Sequence, residues 1–349
     1  MKKTLITFFS TCFCCIFLIL LLFKSKECIQ LSSNGLLIWY RNMIPSLFPF
    51  MVLSGFLIRS GLSVKIGQWL HPLLGSLFRL PPQMLYAIFM GFLCGFPMGA
   101  KLVSDMLEQK QITKKEGAYL LAFCNNIGPL YILGYVIPLF NPRDSWSILA
   151  WMYLVPLGYG LFLRYLFPNY FFSYNSTKRI YSQLIRKPSD SQTTHSPSIT
   201  MCSFQKDKHN SPNYLGCFQQ SLSSAIEQIT MLGGCMVFFN CLLIFPEVLN
   251  HFVLQTATTS YSSLLFSILS SLIEIGGGLQ QLASISSNTS FPSTLIYLPL
   301  SLLTFGGLSC ITQTCFILKN TGLKSSTYIK HKLIQSCIFV FLMLLFIFL

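Results

Sequence analysis

Apolar positions along this chain gather into long runs separated by short polar or basic segments. The runs are Thr4–Phe23, Leu36–Ile58, Met84–Leu107, Ala118–Phe140, Trp146–Phe167, Leu222–Phe245, Leu264–Ser284, Leu295–Leu318 and Leu333–Leu349. Each is close to the roughly 17–25 residues with which a helix crosses a bilayer core. In lipid only helices and closed barrels satisfy their own backbone groups, so the pattern predicts an all-α polytopic membrane protein. Thr113-Lys-Lys-Glu116 supplies a capping-box start for the run at Ala118. Lys2 and Lys3 before Thr4–Phe23 resemble a signal peptide. That run is too long for a signal core and no small-x-small site follows it, so residues 1–27 are read as a retained transmembrane helix. Between Pro168 and Leu215 the composition turns to Ser, Thr, Asn, Pro and Lys, the signature of a polar linker. It separates a membrane unit at 36–167 from a second at 217–349, with the linker spanning 168–216.

Several runs are interrupted. Met84–Leu107 contains Gly91, Gly95, Pro97, Gly99 and Lys101, and Leu264–Ser284 contains Glu274 and Gly276–Gly278. Reading both as re-entrant hairpins, with the N-terminus cytoplasmic, places all but four of the 24 basic residues inside, as the positive-inside rule favours. The exceptions are Lys24, Lys26 and Arg143 outside and Arg41 within a helix. Lys319, Lys324, Lys330 and Lys332 then form one cytoplasmic group. Each half reads helix, re-entrant hairpin, broken helix, helix, entering from opposite faces. The expected fold is therefore two inverted-topology repeats, each with a re-entrant hairpin and a broken helix.

Composition agrees: 52% of residues are hydrophobic and 10% charged. The net charge of +14 is distributed between the apolar runs and forms no nucleic-acid-binding face. Most of the 13 cysteines lie in apolar runs, where Cys behaves as a small hydrophobe. The five His are scattered. No metal-protease, phosphate-loop or nucleophile-elbow motif is present, and no enzyme activity, metal or cofactor is expected.

The candidate chemistry sits at the interruptions. In Cys124–Gly134, Asn125 and Asn126 precede Gly128 and Pro129. Pro129 removes a backbone donor and breaks the helix, and irregular backbone at membrane depth belongs against protein or a cavity. The matching break in the second half carries Gly306, Gly307, Ser309, Thr312 and Gln313. Glu274, with Gly277, Gln280 and Gln281 after it, puts a carboxylate in mid-membrane at a cost of about 2.5–3.5 kcal/mol. It is read as a cation or proton site, or as a paired or protonated core glutamate. The tip at Gly91, Gly95, Pro97 and Gly99 offers half-helix ends to an anion or polar ligand. The alternative for the asparagines is a packed kink that bonds a neighbouring helix. Arg41 either pairs with Glu274 or reaches the interface. Lys101 and Asp105 pair with each other.

Five ordered stretches carry a family resemblance: "PSLFPFMVLSGFLIRSG" (Pro45–Gly61), "GFLCGFPMGAKLVSDM" (Gly91–Met106), "LLAFCNNIGPLYILG" (Leu120–Gly134), "EIGGGLQQL" (Glu274–Leu282) and "FGGLSCITQTCFILKNTGL" (Phe305–Leu323). They look like the YlbJ-type sporulation integral membrane proteins, which contain nucleoside-recognition, or Gate, domains. The resemblance implies a multipass protein of a bacterial cell membrane, in the mother-cell or forespore membrane during sporulation. It supplies no substrate. Two functions follow as expectations. One is a transporter-like gate for a small polar solute, nucleoside-like or other, or for an ion. The other is a non-transporting scaffold that gathers further sporulation membrane proteins, with Lys178, Arg179, Arg186 and Lys187 of the linker facing anionic lipid or a partner.

Overall fold

The computed structural model describes residues 2–140, 145–171, 213–254, 260–288 and 302–348, and every regular element among them is helical. The elements that matter here are α1 (Lys2–Phe23), α2 (Ser25–Ile38), α3 (Ile44–Arg59), α4 (Leu62–Leu70), α5 (Pro82–Cys94), α6 (Met98–Glu108) and α7 (Lys114–Cys124). They continue with α8 (residues 129–140), α9 (Ser145–Leu166), α10 (Tyr214–Cys241), α11 (Ile244–Leu254), α12 (Ser260–Ile273), α13 (Ile275–Asn288), α14 (Gly307–Leu318) and α15 (Ser325–Phe348). Five helical stretches are long and apolar enough to cross a membrane, or six if one bent pair is counted as a span. Large apolar side chains such as Phe8, Phe9, Leu22, Trp146 and Leu154 point outward, the surface a lipid solvent calls for.

Local chemistry explains the irregularities. Two π-turns, Trp39–Met43 and Ile132–Val136, lie just before Pro45 and Pro138. A proline ring clashes with the carbonyl four residues earlier, and widening the helix by one residue relieves that clash. Thr113 and Glu116 form the expected capping box. The Glu116 carboxylate accepts from the Thr113 N–H at 2.8 Å, and Thr113 Oγ1 accepts from the Glu116 N–H at 3.3 Å.

Two pairs of short helices fold back on themselves. α5 and α6 meet through the turn Gly95–Phe96–Pro97, and α12 and α13 meet at Glu274. None of the four exceeds 14 residues, about 21 Å at roughly 1.5 Å per residue, short of a bilayer core of about 30 Å. Glycine permits the first pair to reach α7. A methyl on Gly91 would lie 2.6 Å from the Cys124 carbonyl oxygen, and one on Gly99 2.5 Å from the same atom. Gly95, at φ 85°, abuts the backbone of Gly128.

α2 and α3 lie along α10 of the second half. There Trp39 donates its indole N–H to the Ile229 carbonyl at 2.8 Å, its ring resting on Gly233. The main core, with Met51, Ile58, Met84, Tyr86, Tyr119 and Phe123, joins α3, α5 and α7.

Several boundaries differ from the sequence reading. The helix expected from Leu36 begins at Ser25 and runs to Arg59. The chain between Leu62 and Phe78 is helical and meets α5 at 92°, where no element was expected. Its apolar residues are interspersed with Lys65, Gln68 and His71, which hid it from a search for apolar runs. α15 begins at Ser325, eight residues before Leu333. Lys332 consequently sits inside a helix and is 0% exposed. Its placement in an aqueous basic group is therefore corrected: it is enclosed by protein and donates to Asn126 of the break after α7 and to Gln335. Arg41 is exposed, Lys101 is buried, and Asp105 pairs with both Lys101 and Arg59, the latter at 3.8 Å. The linker from residue 172 to 212, the start of the run at Leu295 and Arg143 lie outside the described residues.

Gly99→Ala is expected to cost about 1–3 kcal/mol, because its methyl would overpack the α7 terminus. Gly134→Ala, whose methyl meets open space, is expected to be near neutral. Denaturant unfolding in micelles compares the two.

Candidate functional site at two helix breaks

α7 stops at Cys124 and the chain resumes as helix only at Pro129. A helix end away from water leaves carbonyls without partners, and side chains from two other helices and from the break itself meet them. Gln335 of α15 donates to the Ala122 carbonyl at 2.6 Å, and Asn126 donates to the Phe123 carbonyl at 2.5 Å. Tyr153 of α9 donates to the Ile127 carbonyl at 3.1 Å. Asn125 works in the other direction: its Oδ1 accepts from the Ala100 N–H at 3.3 Å, in the first turn of α6. Its Nδ2 donates to Thr314 Oγ1 and Tyr328 Oη, both at 3.0 Å.

Lys332 completes this break. Its ammonium donates to Asn126 Oδ1 at 2.7 Å and to Gln335 Oε1 at 3.2 Å, and it lies 5.1 Å from the centroid of the Phe96 ring. Among the described residues it forms no ion pair with a carboxylate. The negative end of α7 and the face of Phe96 take that role, through the helix dipole and a cation–π contact.

The second break mirrors this with opposite charge. Gly306 and Gly307, at φ 86° and 70°, turn the chain into α14. A Gly307 methyl would meet the Ser271 and Leu272 carbonyls at 3.1 and 3.3 Å, so α14 starts against the end of α12. A Gly306 methyl would lie 3.0 Å from the Phe96 ring, which brings the two turns together. Glu274 is 3% exposed and caps α13: its Oε2 accepts from the Gly277 N–H at 2.6 Å, and the Asn240 side chain reaches the same carboxylate. A carboxylate at a helix N-terminus is stabilised there without a cation. Among the described residues no basic side chain pairs with it.

Between the breaks lies a cavity of about 60 Å³, lined among others by Phe96, Gly128, Tyr131, Glu274, Ser309 and Gln313. Among the described residues the buried Tyr131 hydroxyl has no hydrogen-bond partner. Gln313 donates to Ser309 Oγ at 3.1 Å. A second, polar cavity of about 260 Å³ lies beside it, with Gly277 and Gln280 among its lining.

The structure thus gathers Gly128, Glu274, Ser309 and Gln313 around one cavity. Asn125 and Asn126 are buried beside it and bonded to helix ends, with Pro129 starting α8. Gly306 and Gly307 form the second break. Gly91, Gly95, Pro97 and Gly99 pack the first turn onto α7, and Lys101 lies farther along α6 with Asp105. Gln280 is exposed and lines the second cavity.

Sequence reading missed Lys332, Gln335, Tyr328, Tyr131 and Asn240. Tyr328, Lys332 and Gln335 stand at i, i+4 and i+7, one polar stripe along α15, a signal that the search for apolar runs set aside as loop.

Lys332→Met leaves two buried oxygens without a donor and is expected to cost about 1–3 kcal/mol. Lys330→Met, on the exposed side of the same helix, is expected to stay within about 0.5 kcal/mol. Unfolding in micelles measures both.

Comparison with known proteins agrees with the motifs. Residues 40–143 match the Gate family, described as nucleoside recognition. Over 330 residues, 90% of this chain and 77% of the relative, the chain is 27% identical to the sporulation integral membrane protein YlbJ of Bacillus subtilis (strain 168). No solved structure matches the chain. The resemblance carried by the five motifs is thereby shown: this is a helical membrane chain similar to YlbJ, with a Gate region between residues 40 and 143.

Proposed function

We propose that this chain is a multipass membrane protein of spore formation that acts as a transporter-like gate for a small polar solute or ion, in the mother-cell or forespore membrane. Its N-terminus is cytoplasmic. The two helix pairs are re-entrant hairpins of two inverted repeats, at 36–167 and 217–349. The observation that carries this reading is the convergence of both turns and both breaks on one cavity, where Phe96 of the first pair meets Gly306 of the second break.

The parts take distinct roles. Gly128, Glu274, Ser309 and Gln313 contact the solute. Asn125, Asn126 and Lys332 hold the first break, and Glu274 with Gly277 holds the turn of the second hairpin. Small-molecule sites commonly enclose about 300–1,000 Å³. A cavity of about 60 Å³ is smaller than that and sized for water or an ion. Movement of one hairpin enlarges it and opens it to alternate sides.

Uptake into proteoliposomes, with nucleosides, small carboxylates and inorganic ions as solutes, tests the gate. Glu274→Gln, which keeps the shape and removes the charge, is expected to lower flux about tenfold or more, with folding preserved. Unchanged flux, or no flux of any solute with Glu274→Gln spores still maturing normally, favours the scaffold. Impermeant labelling is expected to reach cysteines placed at Lys110 and Lys319 from the same, cytoplasmic, side. Labelling from opposite sides overturns the inverted arrangement.

A further inference from the structure

Glu274 lines the central cavity, and both groups that hold its carboxylate, Asn240 and the Gly277 backbone, line the larger polar cavity between α2, α11 and α13. The carboxylate and its two holders thus connect the linings of the two cavities. The larger cavity is a basin of oxygen donors, lined by Glu27, Glu247, Gln30, Asn34, Gln281 and Ser284. Among the described residues its one paired carboxylate is Glu27, which meets Lys24 at 3.0 Å, both half-exposed.

We propose that this basin is the entry vestibule for a dehydrated alkali-metal cation that binds at Glu274, passing between Asn240 and Gly277. The inference deepens the gate reading and rests on it for the role of the central cavity. Three observations meet here. The donors are all hard oxygens, which select alkali and alkaline-earth ions over transition metals. Among the described residues Glu274 is the one carboxylate lining the central cavity, and a single negative charge among neutral amides and hydroxyls suits a monovalent ion. Beside it the buried Tyr131 hydroxyl has no hydrogen-bond partner among the described residues. A methyl on Gly276 would lie 3.5 Å from that hydroxyl and 3.2 Å from the Glu274 Oε2, so hydroxyl and carboxylate flank one small space.

Gly277 is the closure between the two cavities. A methyl there would lie 2.5 Å from Leu243 Cδ1 and 2.6 Å from Asn240 Oδ1, so these three groups already meet and must part for a cation to pass, and added bulk at Gly277 would wedge the contact. Glu27 and Glu247 act at a distance, raising the cation concentration at the mouth.

The test uses the full chain in lipid nanodiscs, with thermal unfolding followed in NaCl, KCl and N-methylglucamine chloride at constant ionic strength. A ligand that binds only the folded state raises the midpoint. A saturable rise of several degrees is expected with NaCl or KCl over N-methylglucamine. It is expected to vanish in Glu274→Gln and Gly277→Ala. In Glu247→Gln it is expected to persist with a several-fold higher half-saturating concentration. Equal midpoints in the three salts, or a rise that survives Glu274→Gln, overturn the proposal. Should Gly277→Ala fail to fold, Glu247→Gln decides, and an unchanged half-saturation overturns the vestibule. Solute flux without any cation effect sinks this inference alone. A cation effect without flux of any solute sinks the gate reading and leaves the cation site standing.

Discussion

A helix that ends inside a bilayer has no water to complete its terminal groups, and the centre of this protein is organised around that constraint. α7 ends in mid-span with its carbonyls uncovered. Gln335, Asn126 and Tyr153 cover them, and Lys332 sets an ammonium against the negative terminus. α13 begins at Ile275 with free N–H groups, and Glu274 sets a carboxylate against them. Among the described residues neither buried charge pairs with the other: Glu274 is held by the start of α13 and Asn240, and Lys332 by the amides of Asn126 and Gln335 beside the end of α7. Ion pairing at this depth would neutralise both groups and leave neither for a solute. Compensation by backbone dipoles leaves the carboxylate bordering the cavity.

Close backbone approach is the second requirement. Gly91 and Gly99 flank one carbonyl, that of Cys124, while Gly95 rests on Gly128. The first turn is thus built onto the first break with no side chain between them. Phe96 then has one place to go. It lies beneath Lys332, against Gly306, and in the wall of the central cavity. A single ring reports the state of both breaks.

How much of this was legible follows from the physics of each signal. The spans, the capping box at Thr113 and the interruption at Asn125–Gly128 are local properties, and hydropathy, capping and proline chemistry sufficed to place them. The stretch from Leu62 to Phe78 was hidden because an amphipathic helix has no long apolar run. Lys332 was misplaced for a deeper reason. The positive-inside rule treats lysine as a marker of water, and nothing local to Lys332 reveals that a distant helix terminus would receive it. The two asparagines were correctly singled out as costly in lipid. Their distant partners, Ala100, Thr314 and Tyr328 for Asn125 and Lys332 for Asn126, could come only from tertiary structure.

The seating of Trp39 on Gly233 has a consequence for how the two halves cohere. α2 and α3, which precede the first hairpin in the chain, have their most extensive neighbour in α10, which follows the polar segment. Segments far apart in the chain are therefore joined here by side-chain packing, with Trp39 bonded to Ile229 and seated on Gly233. Sequence order and spatial order part company here, so an exchange of either half between homologues would have to carry the Trp39 socket with it.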